Sequence, residues 1–163
     1  MFTPALLKRA EALLEICRSR GIRLVSAESC TGGLVSGLLT EIPGSSDVVD
    51  RGFVTYSNEA KSECLGVPVA LVSKLGAVSR QVAAAMAQGA LVRSRADIAV
   101  AITGVAGPGG GTDEKPVGLV FIAARDRKGG VAAREFRFGP LSRNEIRLAS
   151  VNAALDLVEE VMR

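Results

Sequence analysis

Ile22-Arg23-Leu24-Val25-Ser26-Ala27-Glu28-Ser29-Cys30-Thr31-Gly32-Gly33 is the stretch on which the fold turns. Ile22 to Ala27 is a short apolar run suited to a buried strand. Thr31 to Ile42 then shows helical spacing, opening on Gly32-Gly33 and closing at Pro43-Gly44. A strand that feeds a helix through a glycine turn is the opening unit of an α/β sheet.

The flanking sequence repeats the alternation. Upstream, Leu6, Leu7, Ala10, Leu13, Leu14 and Cys17 fall at helical spacing between Pro4 and Arg20, and Gly21 ends the run. Downstream, Gly52 to Tyr56 reads as a second strand. Ser57 or Asn58 can cap a helix that reaches Leu65 and stops at Gly66. Ser79 caps a long Ala-rich helix running to about Arg95. Asp97 to Thr103 is a third, buried strand, followed by a Gly-rich loop from Gly104 to Lys115. Val117 to Arg125 and Val131 to Phe138 are strands joined by Asp126-Arg127-Lys128-Gly129-Gly130, which has hairpin chemistry. Asn144 to Met162 is a closing helix. The order predicts an α/β fold: a five-stranded mixed, mostly parallel sheet with one antiparallel strand and helices on both faces. No repeat, linker or low-complexity segment divides the 163 residues, so residues 1–163 are expected to form one domain.

Composition narrows the chemistry. A net charge of +3 with scattered Lys and Arg, no Trp and one Tyr argues against a nucleic-acid footprint, so no nucleic-acid partner is expected. No apolar run reaches the length of a membrane span, and Lys8, Arg9 and Glu11 interrupt any leader pattern, which predicts a cytoplasmic protein with no membrane partner. Cys17, Cys30 and Cys64 form no Cys-x-x-Cys pair and read as reduced thiols. The chain has no His. A Ser-His-Asp triad is therefore impossible, and neither a metal site nor any cofactor is expected. Proton transfer near neutral pH must fall to a perturbed Lys, Tyr, Cys or carboxylate.

In a sheet of this kind ligands bind beyond the carboxyl ends of the strands. Glu28 to Gly33, Tyr56 to Lys61 and Thr103 to Gly111 all lie there. Ser29 stands between a strand and a helix start, where free N–H groups and close backbone approach at Gly32 and Gly33 suit an oxyanion or a phosphate. Its hydroxyl could attack a carbonyl; the plain alternative is a helix cap with two glycines for close packing. Cys30 is a rival nucleophile or a buried core residue. Lys61 lies within the first turn of its helix or just beyond, where the helix pole disfavours an ammonium, so it is either a depressed-pKa base or an exposed Lys. Tyr56 could relay a proton between Ser29 and Lys61, or cover the core with its ring. The glycine-rich loop from Thr103 is a backbone cradle, a lid or a structural turn, and lacks the order of the dinucleotide fingerprint.

Together these segments resemble the CinA C-terminal domain family, known as nicotinamide mononucleotide deamidase. The resemblance rests on Ala27 to Gly33, Gly52 to Lys61, Leu65-Gly66-Val67, Gly76 to Ser79, Ile102 to Gly110 and Arg143 to Arg147, in that order, from about Leu6 to Val161. It implies a three-layer α/β/α sandwich and hydrolysis of the carboxamide of nicotinamide mononucleotide to nicotinate mononucleotide and ammonia. The long form carries an additional N-terminal domain, so a stand-alone deamidase is the closer comparison. The family set of Ser nucleophile, Tyr and Lys maps to Ser29, Tyr56 and Lys61. Glu28, Cys30, Thr31, Gly32, Gly33, Asn58, Thr103, Gly104, Gly107, Arg143 and Arg147 become candidates for holding the small-molecule nucleotide. Self-association into a homo-oligomer is a further expectation of the resemblance. A nucleotide-binding regulatory module without turnover, or an amidase acting on another small molecule, would use the same residues.

Overall fold

A computed structural model describes residues 2–163. The elements run α1 (Pro4–Arg20), β1 (Leu24–Glu28), α2 (Leu34–Thr40), a 3-10 turn (Ser45–Asp47), β2 (Val49–Val54), α3 (Asn58–Leu65), α4 (Val69–Leu75), α5 (Arg80–Val92), β3 (Ile98–Gly104), β4 (Leu119–Asp126), β5 (Val131–Arg137) and α6 (Arg143–Val161). The sheet order is β2-β1-β3-β4-β5. β1 pairs parallel with β2 and β3, while β4 is antiparallel to both β3 and β5. β4 is thus the one reversed strand, as the hairpin at Asp126 to Gly130 requires. That turn is closed by Asp126 Oδ1, which accepts from the amides of Lys128 (2.9 Å) and Gly130 (2.6 Å).

Strand alternation assigns the two faces. On β3, Ile98, Val100 and Ile102 pack with α1, α2 and α6, whereas Ala99 and Ala101 pack with α3, α4 and α5. The small residues let the Ala-rich α5 lie close on the second face. A Cβ at Gly89 would meet the Leu65 carbonyl oxygen at 2.0 Å, so glycine is what admits α3 against α5. Each fully buried Leu or Ile on the other face contributes about 1.5–3 kcal/mol. Among the described residues no helix is long and apolar enough to cross a membrane.

Several boundaries differ from expectation. α2 begins at Leu34 rather than Thr31, because Gly32 (φ 58°) and Gly33 (φ 96°) are left-handed and cannot form a first helical turn. β2 ends at Val54, leaving Thr55 and Tyr56 beyond the strand. β2 is an edge strand with Asp50 and Arg51 paired to each other at 2.6 Å, so its apolar pattern is broken. α5 stops at Val92, short of Arg95. α4 went unseen in the sequence: it is seven residues long, has Pro68 at its N-cap and makes no side-chain cap.

Candidate active site

β1, β2 and β3 are parallel and end at one edge of the sheet. The chain leaves β1 for β2 on one side and returns to β3 on the other, which opens a crevice at their carboxyl ends. Two backbone bonds extend the ladders into it: Ser29 N–H donates to Ile102 O (3.0 Å), and Thr55 N–H donates to Glu28 O (2.8 Å). Ser29 and Thr55 are therefore held as firmly as strand residues.

Lys61 comes to this point from α3. Ser57 caps that helix, its hydroxyl accepting from Ala60 N–H at 3.0 Å. Lys61 is 1% exposed. Its Nζ lies 3.1 Å from Ser29 Oγ and donates to the carbonyls of Thr55 (3.0 Å), Tyr56 (3.3 Å) and Ser57 (3.2 Å). No carboxylate is among these partners. Burial pushes the ammonium below its ordinary alkaline value, opposed by the negative charge available at Cys30 and Glu59. Hydrogen counting then separates the two states. An ammonium has three N–H donors for four neighbours. A neutral amine has two N–H donors for the three carbonyls and a lone pair that can accept from the Ser29 hydroxyl.

The turn after β1 is organised by Glu28, which is fully buried. Oε2 accepts from the amides of Gly33 (3.1 Å) and Val35 (3.0 Å). Oε1 accepts from the Ser36 amide (3.0 Å) and from the hydroxyls of Ser26 (3.1 Å) and Ser36 (3.3 Å). The carboxylate caps the start of α2 and lies behind the crevice. Gly32 N–H donates to Ser29 O (3.0 Å) and Leu34 N–H to Thr31 O (3.2 Å). The glycine amides are thus engaged. Cys30 is buried, which pushes its thiol up to about 11 and keeps it protonated at neutral pH.

Tyr56 is 58% exposed, and its hydroxyl accepts from Arg143 Nη2 at 2.8 Å. Its carbonyl, not its ring hydroxyl, meets Lys61. Arg143 Nη1 also donates to Gly107 O (2.7 Å), so one guanidinium joins Tyr56 to the glycine-rich loop. Thr103 Oγ1 donates to Ala77 O (2.9 Å) and ties the loop before α5 to β3. Lys115, which sequence reasoning passed over, donates to Leu75 O (2.6 Å) and fastens the far end of the glycine loop to α4.

These groups surround an open cleft of about 310 Å³. Ser29, Cys30, Tyr56, Asn58 and Lys61 line it together with Thr103, Gly104, Gly107 and Arg143. Ala77, Val78, Gly109 and Gly110 line it as well and were not singled out individually, although each stands in a segment that carries the family resemblance. Glu28, Thr31, Gly32, Gly33 and Arg147 do not line the cleft. Arg147 lies behind the turn, where Nε donates to Cys30 O (3.1 Å) and Nη2 to Thr31 O (2.9 Å).

Comparison with known proteins agrees with this architecture. A family model described as the CinA C-terminal domain matches residues 7–162. A CinA-like protein of Geobacter sulfurreducens is 48% identical over 145 residues, which are 89% of this chain and 35% of that protein. The chain spans about a third of the length of the curated relatives it matches. The crystal structure of a competence/damage inducible protein, CihA, from Agrobacterium tumefaciens superposes with a TM-score of 0.98 at 52% identity, covering 100% of this chain and 99% of that one. A CinA superfamily protein from Escherichia coli gives 0.90 at 31% identity, covering 99% and 94%.

Proposed function

The chain belongs to the CinA C-terminal domain family, and from that premise we propose that it hydrolyses the carboxamide of nicotinamide mononucleotide to nicotinate mononucleotide and ammonia. The observation that carries this reading is the buried Lys61 amine 3.1 Å from Ser29 Oγ, in a chain with no His.

Lys61 in its neutral form takes the Ser29 proton while Oγ attacks the carboxamide carbon. Backbone amides of the turn after Ser29 hold the oxyanion. The Lys61 ammonium returns the proton to the leaving nitrogen, and ammonia departs. Water then attacks the acyl-enzyme with Lys61 again as base, which releases the carboxylate and restores Ser29. Tyr56 enters through its carbonyl on Lys61, and its hydroxyl bonds Arg143, which with the glycine-rich loop would contact the nucleotide in this reading.

The test is ammonia release from nicotinamide mononucleotide, with nicotinamide riboside and free nicotinamide beside it. The expected result is release from the mononucleotide, at a higher kcat/KM than from either of the others. Preference for the free base rejects the nucleotide assignment in favour of an amidase for another small molecule. Tight binding of the mononucleotide with no ammonia formed rejects turnover and favours a regulatory binding module.

A further inference from the structure

Arg147 reaches across 116 residues of sequence to grip two carbonyls of the turn that carries Ser29. It adds nothing to the lining of the cleft. Its effect follows from the other half of each peptide it holds. Of the amides from Ser29 to Ser36, those of Ser29, Gly32 and Leu34 donate to backbone carbonyls, and those of Gly33, Val35 and Ser36 donate to Glu28. Among the described residues, the amides of Cys30 and Thr31 have no acceptor other than the sulfur of Cys30 itself. Both residues are buried, and backbone N–H groups left free of carbonyl and carboxylate acceptors in such a turn are uncommon, which leaves them available to a ligand beside Ser29.

A trans peptide points its C=O and N–H in opposite directions. The Cys30 carbonyl is bonded to Arg147, so the Thr31 N–H in the same peptide faces away from that guanidinium. The Ser29 carbonyl is bonded to Gly32 N–H, so the Cys30 N–H faces away from Gly32. Glu28 fixes the downstream end of the turn through Gly33. We infer that Arg147 is a positioning residue: by holding the carbonyls of Cys30 and Thr31, with Glu28 as counter-anchor, it fixes the turn so that the Cys30 amide, in the cleft wall, meets the oxyanion formed when Ser29 attacks. The amide of the residue after a nucleophile is a recurrent oxyanion donor. The inference rests on Ser29 being the nucleophile and does not depend on which carbonyl compound it attacks.

The experiment compares Arg147→Gln and Arg147→Lys with the unaltered protein in two assays. One is steady-state ammonia release from nicotinamide mononucleotide. The other is the rate at which a small alkyl fluorophosphonate phosphonylates Ser29, followed by intact-protein mass; this adduct forms through a negatively charged transition state and needs no nucleotide recognition. Arg147→Gln is expected to lower kcat and the labelling rate by about tenfold to a hundredfold, the scale set by a misplaced or lost oxyanion donor, with KM within about threefold. Arg147→Lys, which keeps the charge and can reach one carbonyl, is expected to fall between. Labelling and kcat within threefold of the unaltered protein in both variants overturn the inference. So does a raised KM with unchanged kcat, which would make Arg147 a substrate contact. Loss of folded circular dichroism in both variants overturns it too, since the role is then structural. An unaltered protein that is not labelled at Ser29 overturns the nucleophile and this inference together. One that is labelled yet releases no ammonia overturns the deamidase reading alone, and the labelling rates still decide the role of Arg147.

Discussion

Replacing Lys61 by Met removes the amine and keeps nearly the full length of the side chain. Nζ is the donor to three carbonyls. Ser57 O retains the backbone amide of residue 61 at 3.3 Å, and Tyr56 O is partly exposed and can take water. Thr55 O is buried and is left without that donor. An orphaned buried acceptor costs about 1–3 kcal/mol, and that is the loss expected in denaturant unfolding of Lys61→Met. The pH dependence gives the sign. The folded protein holds Lys61 below its ordinary pKa, so between the two values the unfolded chain binds more protons and stability rises with pH. The Met variant lacks this increment, so the stability gap widens toward alkaline pH and narrows toward neutral. For turnover, loss of a positioned base costs about 10²–10⁴ in kcat. The unaltered protein should show kcat/KM rising with pH along an acid limb as Lys61 loses its proton, and the variant should lack that limb. Ammonia release across a pH series, with unfolding curves at each pH, makes the measurement. A variant within tenfold of the unaltered rate, or one that keeps the same acid limb, refutes the assignment of Lys61 as the base.

Ser29→Ala should lose at least about two orders of magnitude in kcat while its stability changes by no more than about 1 kcal/mol, checked by ammonia assay and thermal unfolding. Tyr56→Phe should cost less than about tenfold, because the hydroxyl bonds Arg143 and not Lys61; a drop of about 10² or more would restore a proton relay through that hydroxyl. Glu28→Gln should destabilise by at least about 2 kcal/mol in urea, since a side-chain NH₂ would face two or three donors whichever way it turned. Cys30→Ser should keep the rate within about tenfold, and resistance of wild-type activity to iodoacetamide at neutral pH should match it, because the thiol stays protonated.

The sequence carried the fold through its punctuation. Gly21 and Gly66 close α1 and α3 in left-handed conformations, and Ser57 and Ser79 cap α3 and α5 through their hydroxyls, so the order of the strands and of the longer helices could be counted from residue types. The edge strand was read with shifted ends, at Gly52 to Tyr56, and α4 escaped, because neither has to hide both faces: β2 tolerates Asp50 and Arg51, and α4 is too short for a period. The crevice was legible as a convergence of three strand ends. The direction of each side chain within it was not. Strand alternation places Ser26 and Glu28 on the face of α2, yet nothing in the local pattern says that a carboxylate will turn inward to collect a helix start. Tyr56 likewise follows a strand directly, and only its position beyond the ladder sends its hydroxyl outward to Arg143.

Electrostatics explain why this turn needs both a buried acid and a neutral thiol. A helix start is an attractive place for an anion, and Glu28 already occupies that of α2, so the pole of α2 is spent on the fold and does not act directly on Ser29. In the proposed reaction, oxyanion stabilisation then falls to individual amides, and the one left over in the cleft wall is that of Cys30. Lys61 faces the opposite demand. A negative charge at Cys30 would hold the amine protonated, but burial keeps that thiol neutral far above neutral pH. Protonated Cys30 therefore withholds the larger of the two nearby negative charges that would hold Lys61 protonated, the other being that of Glu59. A Lys can replace a His in such a chain only where desolvation acts on the amine and no ionised acid contacts it. In this crevice the carboxylate is turned away into α2, the thiol is kept uncharged, and Lys61 meets only carbonyls and the Ser29 hydroxyl.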